Sequence, residues 1–391
     1  MLPQLLSHSP DLKRLVDEGY NVEVRSNYLL LKDVPYVTPG KTVARGIIVS
    51  ELTTSGDAAA KPGNHLVSFV GEIPCDNNGQ ELEIINEKGN VNLAPGLDAC
   101  CKFSSKRPDR DYADYYEKMT TYANTLLGYA QVLEPNIDAR TFPPAPTGDD
   151  TVFRYMDSAT SRAQLSAISE KLKMDNIAII GLGGTGSYVL DFVAKTPVGH
   201  IHLFDGDTFY THNAFRAPGA ASLDELKATP LKVEYFQRKY DPMHRNIIAH
   251  PTFITEANID ELKGLDFVFL TLEGGAAKKL VVGKLEEFGI PFIDTGMGVY
   301  EVGGSLGGIV RATASTNEQR QHVQQRISFA DDDGNNDYER NIQIADLNAL
   351  NAIMAVIKWK KLCGFYSDLE HEYSSSYTID GNHLLNEDKL T

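Results

Sequence analysis

Cysteine is scarce in this sequence: four in 391 residues (Cys75, Cys100, Cys101 and Cys363), irregularly spaced. That excludes a disulfide framework and a paired CxxC zinc site, and makes a reducing cytoplasm the default compartment. No apolar run approaches the roughly 20 residues that a membrane-spanning helix needs. The start, MLPQLLSHSPDLKRL, lacks the basic region, continuous apolar stretch and small-residue cleavage site of a secretory signal, so none is expected. Positive charge is also short. Lys and Arg number 37 against 53 Asp and Glu, a formal net charge of −16, which argues against broad binding to nucleic acid or anionic membrane. HExxH and GxxxxGK[ST] are both missing, so two common routes to hydrolysis or phosphate binding have no motif here. His200, His202, His212 and His244 are scattered and read as core or surface residues.

Hydrophobic residues make up 42% and charged residues 23%, ordinary for a globular protein, and the length suits two domains. The first part reads as a compact α+β unit. Ser9–Gly19 has a helical pattern with caps at both ends. Strand-like runs follow at Val22–Val24, Tyr28–Leu31, Ile47–Val49 and Leu66–Val70. Ala113–Leu133 has helical apolar spacing through Tyr115, Met119, Tyr122, Leu126 and Tyr129. From Glu134 the chain turns rich in proline and polar residues, which marks a boundary. We therefore expect an accessory domain over 1–133, a linker over 134–157 and a second domain over 158–391.

The second domain alternates strand and helix, as a parallel sheet requires. Helical tendency over Ser158–Lys173 leads into the apolar run Ile177–Ile180, then a glycine turn, an amphipathic segment and a second run (Ile201, Leu203, Phe204). Further expected elements are a helix at Leu231–Arg238, strands at Thr252–Ile254 and Phe267–Leu270, a helix at Ala276–Phe288 and a strand at Pro291–Asp294. Ser305–Ser315 reads as a later strand, Gln319–Asn336 as a crossover loop, Ala345–Leu362 as a helix and Glu372–Ile379 as a last strand before a loose tail. The fold class is α/β: a Rossmann-like, mostly parallel sheet with helices on both faces, preceded by a smaller α+β domain.

Gly181-Leu182-Gly183-Gly184-Thr185-Gly186 fits GxGxxG between a strand and a helix. Glycine there permits the tight turn, the close approach of backbone to phosphate, and helix–strand packing. Asp205 ends the next strand, where a carboxylate reaches ribose hydroxyls. Both features serve NAD and ATP equally. Asp207 reads either as a second carboxylate facing the same way or as a solvated turn residue. Asn213, Arg216 and Lys232 discriminate better. A triphosphate needs several cations, whereas hydride transfer does not. For any one of these residues a surface salt bridge is the ordinary alternative.

As a set, the glycine loop, Asp205-Gly206-Asp207, Asn213…Arg216 and Lys232 resemble the ThiF/MoeB and ubiquitin-activating enzyme superfamily. The resemblance extends from about Ser158 to the C-terminal helix. Together with the N-terminal domain, the run Asn341–Asn348 looks like a bacterial branch that accompanies ubiquitin-like proteins and deubiquitinase-like partners, in antiphage defence. The resemblance implies ATP-dependent adenylation of the C-terminal glycine of a ubiquitin-like protein, with Mg²⁺, by a homodimer, and implies a conjugating partner. Asp205 would hold the ribose, Asp207 would lie near the phosphates, and Asn213, Arg216 and Lys232 would contact them. An arginine from the helix before the first strand would cross the dimer interface: Arg162, or alternatively Arg154. The N-terminal domain would bind cargo or partner.

Two departures stand out. Where the family carries a metal-binding aspartate, this sequence has Glu273, one methylene longer; it reads as the Mg²⁺ ligand or as a plain loop acid. No cysteine lies between Lys102 and Leu362, where a thioester-forming cysteine is often found. Cys75 sits in an exposed-looking turn beside Asp76, which would raise its pKa. Lys102 would favour a thiolate at the adjacent pair Cys100-Cys101. Cys363 follows a basic helix end. Each is more readily an inert structural cysteine. A NAD-dependent oxidoreductase and a non-catalytic nucleotide-binding scaffold are the competing readings.

Overall fold

Leu29, Leu30 and Leu31 run consecutively, which in a strand sends them to alternate faces. The structure, a computed structural model, buries all three. It describes residues 5, 8–56, 58–144, 151–157, 159–160, 163, 165–273, 275–329 and 342–389. The chain divides into two compact units, Met1–Gly148 with Tyr155–Ala163, and Asp149–Arg154 with Gln164–Thr391.

The first unit is built on an antiparallel sheet. After α1 (Pro10–Asp17) come β1 (Asn21–Arg25), β2 (Tyr28–Val37), β3 (Val43–Glu51), β4 (Leu66–Val70), β5 (Ile85–Ala94) and β6 (Leu97–Ser104), in spatial order β1-β2-β3-β4-β6-β5. The long helix α2 (Tyr115–Leu133) covers one face, its N-cap Asp114 accepting from the Glu117 amide at 2.8 Å. Leu29 and Leu31 join Tyr115, Met119, Tyr122 and Leu126 of α2 in one core, while Leu30 packs on the other side with Val49 and Leu97. Tyr129, expected on the buried stripe, is 37% exposed, and Ala130 takes the buried position in that turn. The β5–β6 hairpin had no clear signal in the sequence. Its outer strand, INEKGNVNLA, is an exposed edge without an apolar alternation.

The second unit carries an eight-stranded sheet. Its parallel half is β7 (Asn176–Ile180), β8 (His200–Phe204), β9 (Ile247–His250), β10 (Phe267–Leu270) and β11 (Phe292–Val302). Three antiparallel strands extend it: β12 (Ser305–Ser315), β13 (Ser374–Thr378) and β14 (His383–Glu387). The spatial order is β9-β8-β7-β10-β11-β12-β13-β14. The chain order thus reverses between β7 and β10, the topological switch point where open α/β sheets place their ligands. Helices α3 (Gly184–Val193), α4 (Lys232–Tyr240), α5 (Gly275–Phe288) and α6 (Ala345–Leu362) pack against this sheet. Ile177, Ile179 and Leu203 meet α3, α4 and α6 in one core, with Trp359 fully buried in it; Ala178, Ile180 and Val268 meet α5 in another.

Two expectations need correction. The strand placed at Thr252–Ile254 lies instead at Ile247–His250, paired with Ile201–Phe204. Pro251, with no N–H to donate, separates the two apolar runs, and the first has the parallel partner. The tail, expected to be loose, forms β14 against β13. The expected crossover loop runs into residues outside those described. Before that point it contains a short helix, Val323–Arg326. No described helix is long and apolar enough to cross a membrane.

Candidate active site

The five residues of β7 end in a glycine that must bend the chain back. Gly181 has φ +92°, a left-handed conformation open to glycine, and its N–H donates to Phe204 O at 2.8 Å. Gly186, in the first turn of α3, packs where no side chain fits: a Cβ there would stand 2.0 Å from Gly181 O. Gly183 is different, since a Cβ on it would meet nothing within 4 Å. The loop is thus closed toward the sheet at Gly186 and open at Gly183, the side from which a phosphate approaches.

Asp205 follows β8 and is 6% exposed. Its Oδ2 accepts from Leu182 N at 2.6 Å and its Oδ1 from Asp207 N at 2.8 Å. It therefore ties the glycine loop to the loop after β8, and each oxygen keeps a second lone pair for a hydroxyl donor. Asp207 turns toward solvent, with its side chain 55% exposed. Lys232, the first residue of α4, is almost fully buried. Its Nζ lies 2.6 Å from Asp207 Oδ2 and 3.6 Å from Asp205 Oδ2. A backbone bond from Lys232 N to Asp207 O (2.9 Å) holds the two residues together. Asn213 sits in the short helix Thr211–Ala214, 3% exposed, its Oδ1 accepting from Tyr210 N at 2.9 Å. Asn213 Nδ2 and Arg216 Nε are buried and have no hydrogen-bond partner among the described residues. Buried donors without acceptors are costly, each by about 1–3 kcal/mol. A polyphosphate supplies the acceptors that both nitrogens lack, so the residues present fit such a group.

The structure therefore brings Gly181, Gly183, Gly184, Gly186, Asp205, Asp207 and Lys232 together through direct contacts and a shared loop, with Asn213 and Arg216 on the segment between Asp207 and Lys232. Glu273 lies in the loop after β10 and accepts from Gln343 Nε2. Among the described residues no three His, Cys, Asp or Glu side chains converge to hold a metal ion. Arg162 lies outside the described residues. Arg154 binds Asp241 of its own chain, NH2 to Oδ1 at 2.7 Å.

The cysteines correct the sequence reading. Cys75 is buried, not exposed, and burial first, then Glu81 and Asp76, pushes its thiol up. Cys100 is held below the ordinary thiol value by the Cys101 thiol 3.6 Å away, while Lys102 is engaged with Glu87 at 3.1 Å. Cys101 is raised by the same contact and by burial, and burial pushes Cys363 up to about 12.

Sequence reasoning missed three groups. Asn348 of α6 receives the Thr185 hydroxyl at 2.9 Å and occupies the space where a Gly184 side chain would stand. Thr271 donates its hydroxyl to Gly181 O at 2.5 Å. Asp294 on β11 is fully buried between Lys278 of α5 (2.8 Å) and Arg311 of β12 (3.1 Å). Burial pushes its carboxyl up and the two cations act against that. A polar residue inside an apolar helix stripe or strand run was the available signal for Asn348 and Asp294.

A ThiF family model matches residues 156–378, more than half of the chain. The chain belongs to the ThiF family. A second model, DUF6791, a domain of unknown function, matches residues 10–158. Ubiquitin-like modifier-activating enzyme 5 of Culex quinquefasciatus is 24% identical over 148 residues, 35% of this chain and 37% of that protein. Adenylyltransferase and sulfurtransferase UBA4 of Saccharomyces cerevisiae is 27% identical over 133 residues, 33% of this chain and 29% of that protein. This ThiF-family chain thus spans about a third of the length of these curated relatives. Among solved structures, a selenomethionine crystal structure of PaaA is 15% identical, with TM-score 0.47 over 77% of this chain and 95% of that one. Escherichia coli MccB with ATP is 16% identical, with TM-score 0.42 over 56% and 66%.

Proposed function

We propose that this ThiF-family chain is an ATP-dependent adenylating enzyme that activates the C-terminal carboxylate of a ubiquitin-like protein ending in glycine. The observation that carries the reading is the buried Lys232 between two carboxylates beside a glycine loop, with the Asn213 and Arg216 nitrogens unpartnered. In the reaction a carboxylate oxygen of the cargo attacks the α-phosphorus of ATP. The bond from that phosphorus to the β-phosphate oxygen breaks, and pyrophosphate leaves with the electron pair. An acyl-adenylate remains.

Asp205 would accept from the ribose hydroxyls through its free lone pairs. Lys232 would exchange Asp207 for the phosphates as negative charge develops, and Arg216 and Asn213 would donate to the same oxygens. Mg²⁺, when bound, would neutralise phosphate charge, with Glu273 as its protein carboxylate and phosphate oxygens and water completing its shell. Catalysis would rest on positioning and charge neutralisation rather than on a protein nucleophile. Three of the four thiols are raised, so the acyl-adenylate would pass directly to a conjugating partner's nucleophile or, at most, to Cys100. The glycines of β11, Gly296 and Gly298, leave room for a thin Gly-Gly tail. The first unit would bind cargo or partner, and the enzyme would act as a homodimer with Arg162 reaching the neighbouring site.

The test is ATP–pyrophosphate exchange with the full chain, Mg²⁺ and a panel of ubiquitin-like proteins ending in glycine. Exchange that depends on one cargo and vanishes in Lys232→Ala supports the proposal. Tight NAD binding without exchange overturns it, and ATP binding without exchange under every cargo points to a scaffold.

A further inference from the structure

The nucleotide-site reading leaves the Lys278–Asp294–Arg311 cluster without a task. Asp294 is 0% exposed and needs one positive charge. Lys278, also buried, supplies it, with Nζ 2.8 Å from Oδ1 as an ion pair rather than an aligned hydrogen bond. Arg311 brings a second cation to the same carboxylate, NH2 to Oδ2 at 3.1 Å. The charges of the three side chains sum to +1 (two cations, one anion), and an uncompensated charge at a half-dry site is unfavourable unless an anion completes it. Arg311 is the member able to receive that anion. Its side chain is 24% exposed, and it has no hydrogen bond among the described residues besides the one to Asp294. Its Nε is buried and unpartnered.

The position of the guanidinium is fixed by what lies beneath it. Arg311 pairs in register with Gly296 of β11 and Ser376 of β13, so all three share one sheet face. A Cβ on Gly296 would stand 2.7 Å from Arg311 NH2 and 3.1 Å from its Cζ, so the guanidinium rests flat on the glycine. Along the same face come Gly298, opposite Ile309 (40% exposed), and Gly307, opposite Tyr300. This is a shallow floor of Gly296 and Gly298 bordered by Ile309, with the Tyr300 ring over Gly307 at its far end and one fixed cation. The cation stands at the end nearest the glycine loop: Asp294, two residues before Gly296, pairs with Leu270, the last residue of β10, and Thr271 beyond it bonds Gly181 O.

We propose that Arg311 is a specificity-determining residue that receives the terminal carboxylate of an extended glycine-ending peptide, with Asp294 and Lys278 holding its guanidinium in place. A carboxylate matches the planar fork of a guanidinium, and its charge completes the cluster. The inference deepens the adenylation reading and rests on it for the identity of the incoming group.

The test uses the full chain and four probes: Gly-Gly, Gly-Gly-amide, Gly-Gly-Gly and Asp-Gly-Gly-amide, titrated by ligand-observed NMR with and without a non-hydrolysable ATP analogue. Gly-Gly is expected to bind about tenfold more tightly than its amide, as a charge-assisted pair requires. Arg311→Gln, which keeps the Asp294–Lys278 pair, should erase that preference while leaving binding of the ATP analogue unchanged. Arg311→Lys keeps the charge without the fork, and should retain only part of the preference. It answers the question if the glutamine variant does not fold. Absence of a carboxylate preference, or a preference that survives Arg311→Gln, overturns the inference. Recognition of Asp-Gly-Gly-amide in place of Gly-Gly-Gly overturns the terminal assignment. Failure of the ATP analogue to bind counts against the adenylation reading, whereas the nucleotide-free titrations judge Arg311 alone.

Discussion

The two units differ in how far their interior polar groups are satisfied. In the first unit the core tyrosines are satisfied. Tyr115 OH donates to Glu51 O (2.9 Å) and accepts from Thr53 N (2.7 Å); Tyr112 OH donates to Ser105 O (2.7 Å), and Tyr36 OH accepts from Glu72 N (2.9 Å). The buried Lys118 finds Ser50 Oγ at 2.9 Å, although burial still disfavours its charge. In the second unit, Asn213, Arg216 and Arg311 keep buried nitrogens without acceptors. Satisfied polar groups stabilise a fold, and unsatisfied donors await a ligand. On the adenylation reading, the donors left open at Asn213, Arg216 and Arg311 serve binding; Arg107 Nε of the first unit and Trp359 Nε1 in the core of the second are also buried and unpartnered.

That contrast can be broken by substitution. The largest effect is expected at Lys232. Lys232→Ala should lower cargo-dependent ATP–pyrophosphate exchange by about 10³-fold, since it removes the main charge-neutralising donor. Arg216→Gln comes next, with a loss of about 100-fold in exchange. Because Arg216 Nε has no partner, the fluorescence-monitored unfolding of Trp359, the single tryptophan, should not move. A drop in stability equal to the drop in exchange would break the comparison. Gly186→Ala acts through packing instead: its Cβ collides with Gly181 O, and overpacking of this kind costs about 1–3 kcal/mol, visible in the Trp359 unfolding midpoint.

In the first unit the sharpest handle is Lys118, whose pKa burial lowers from 10.5 to about 8. Between those values the folded state holds fewer protons than the unfolded one, so stability rises with pH across that window. Below it the full penalty applies, about 3 kcal/mol. Lys118→Met should therefore stabilise the unit at neutral pH and flatten its rise between pH 8 and 10, followed by circular dichroism in denaturant. It should leave exchange untouched. The smallest effect is expected at the thiols: Cys75→Ala, Cys101→Ala and Cys363→Ala should leave exchange within twofold and no reducible cargo adduct altered, and only Cys100→Ala tests a thiolate pathway.

Much of the second unit was legible because β7, β8 and β10 are short, mostly apolar runs set between helices of clear period. The glycine loop and Asp205 carry fixed geometric demands, so their spacing alone locates them. The register of β9 was not legible, since two apolar runs flank Pro251 and only pairing with β8 selects one. The β5–β6 hairpin was hidden by an edge strand that needs no apolar alternation. Cys75 reads as part of an exposed turn, yet the backbone bond from Cys75 N to Val37 O (2.8 Å) draws it inside. Asp294 and Arg311 are 17 residues apart in sequence, and only the register of β11 with β12 brings them together.

The most direct test of the central claim is equilibrium binding of a non-hydrolysable ATP analogue and of NAD to the full chain and to Arg216→Gln. The account predicts that the ATP analogue binds, that NAD does not compete with it, and that Arg216→Gln weakens the triphosphate but not adenosine. Tighter binding of NAD, or triphosphate binding indifferent to Arg216→Gln, would contradict it.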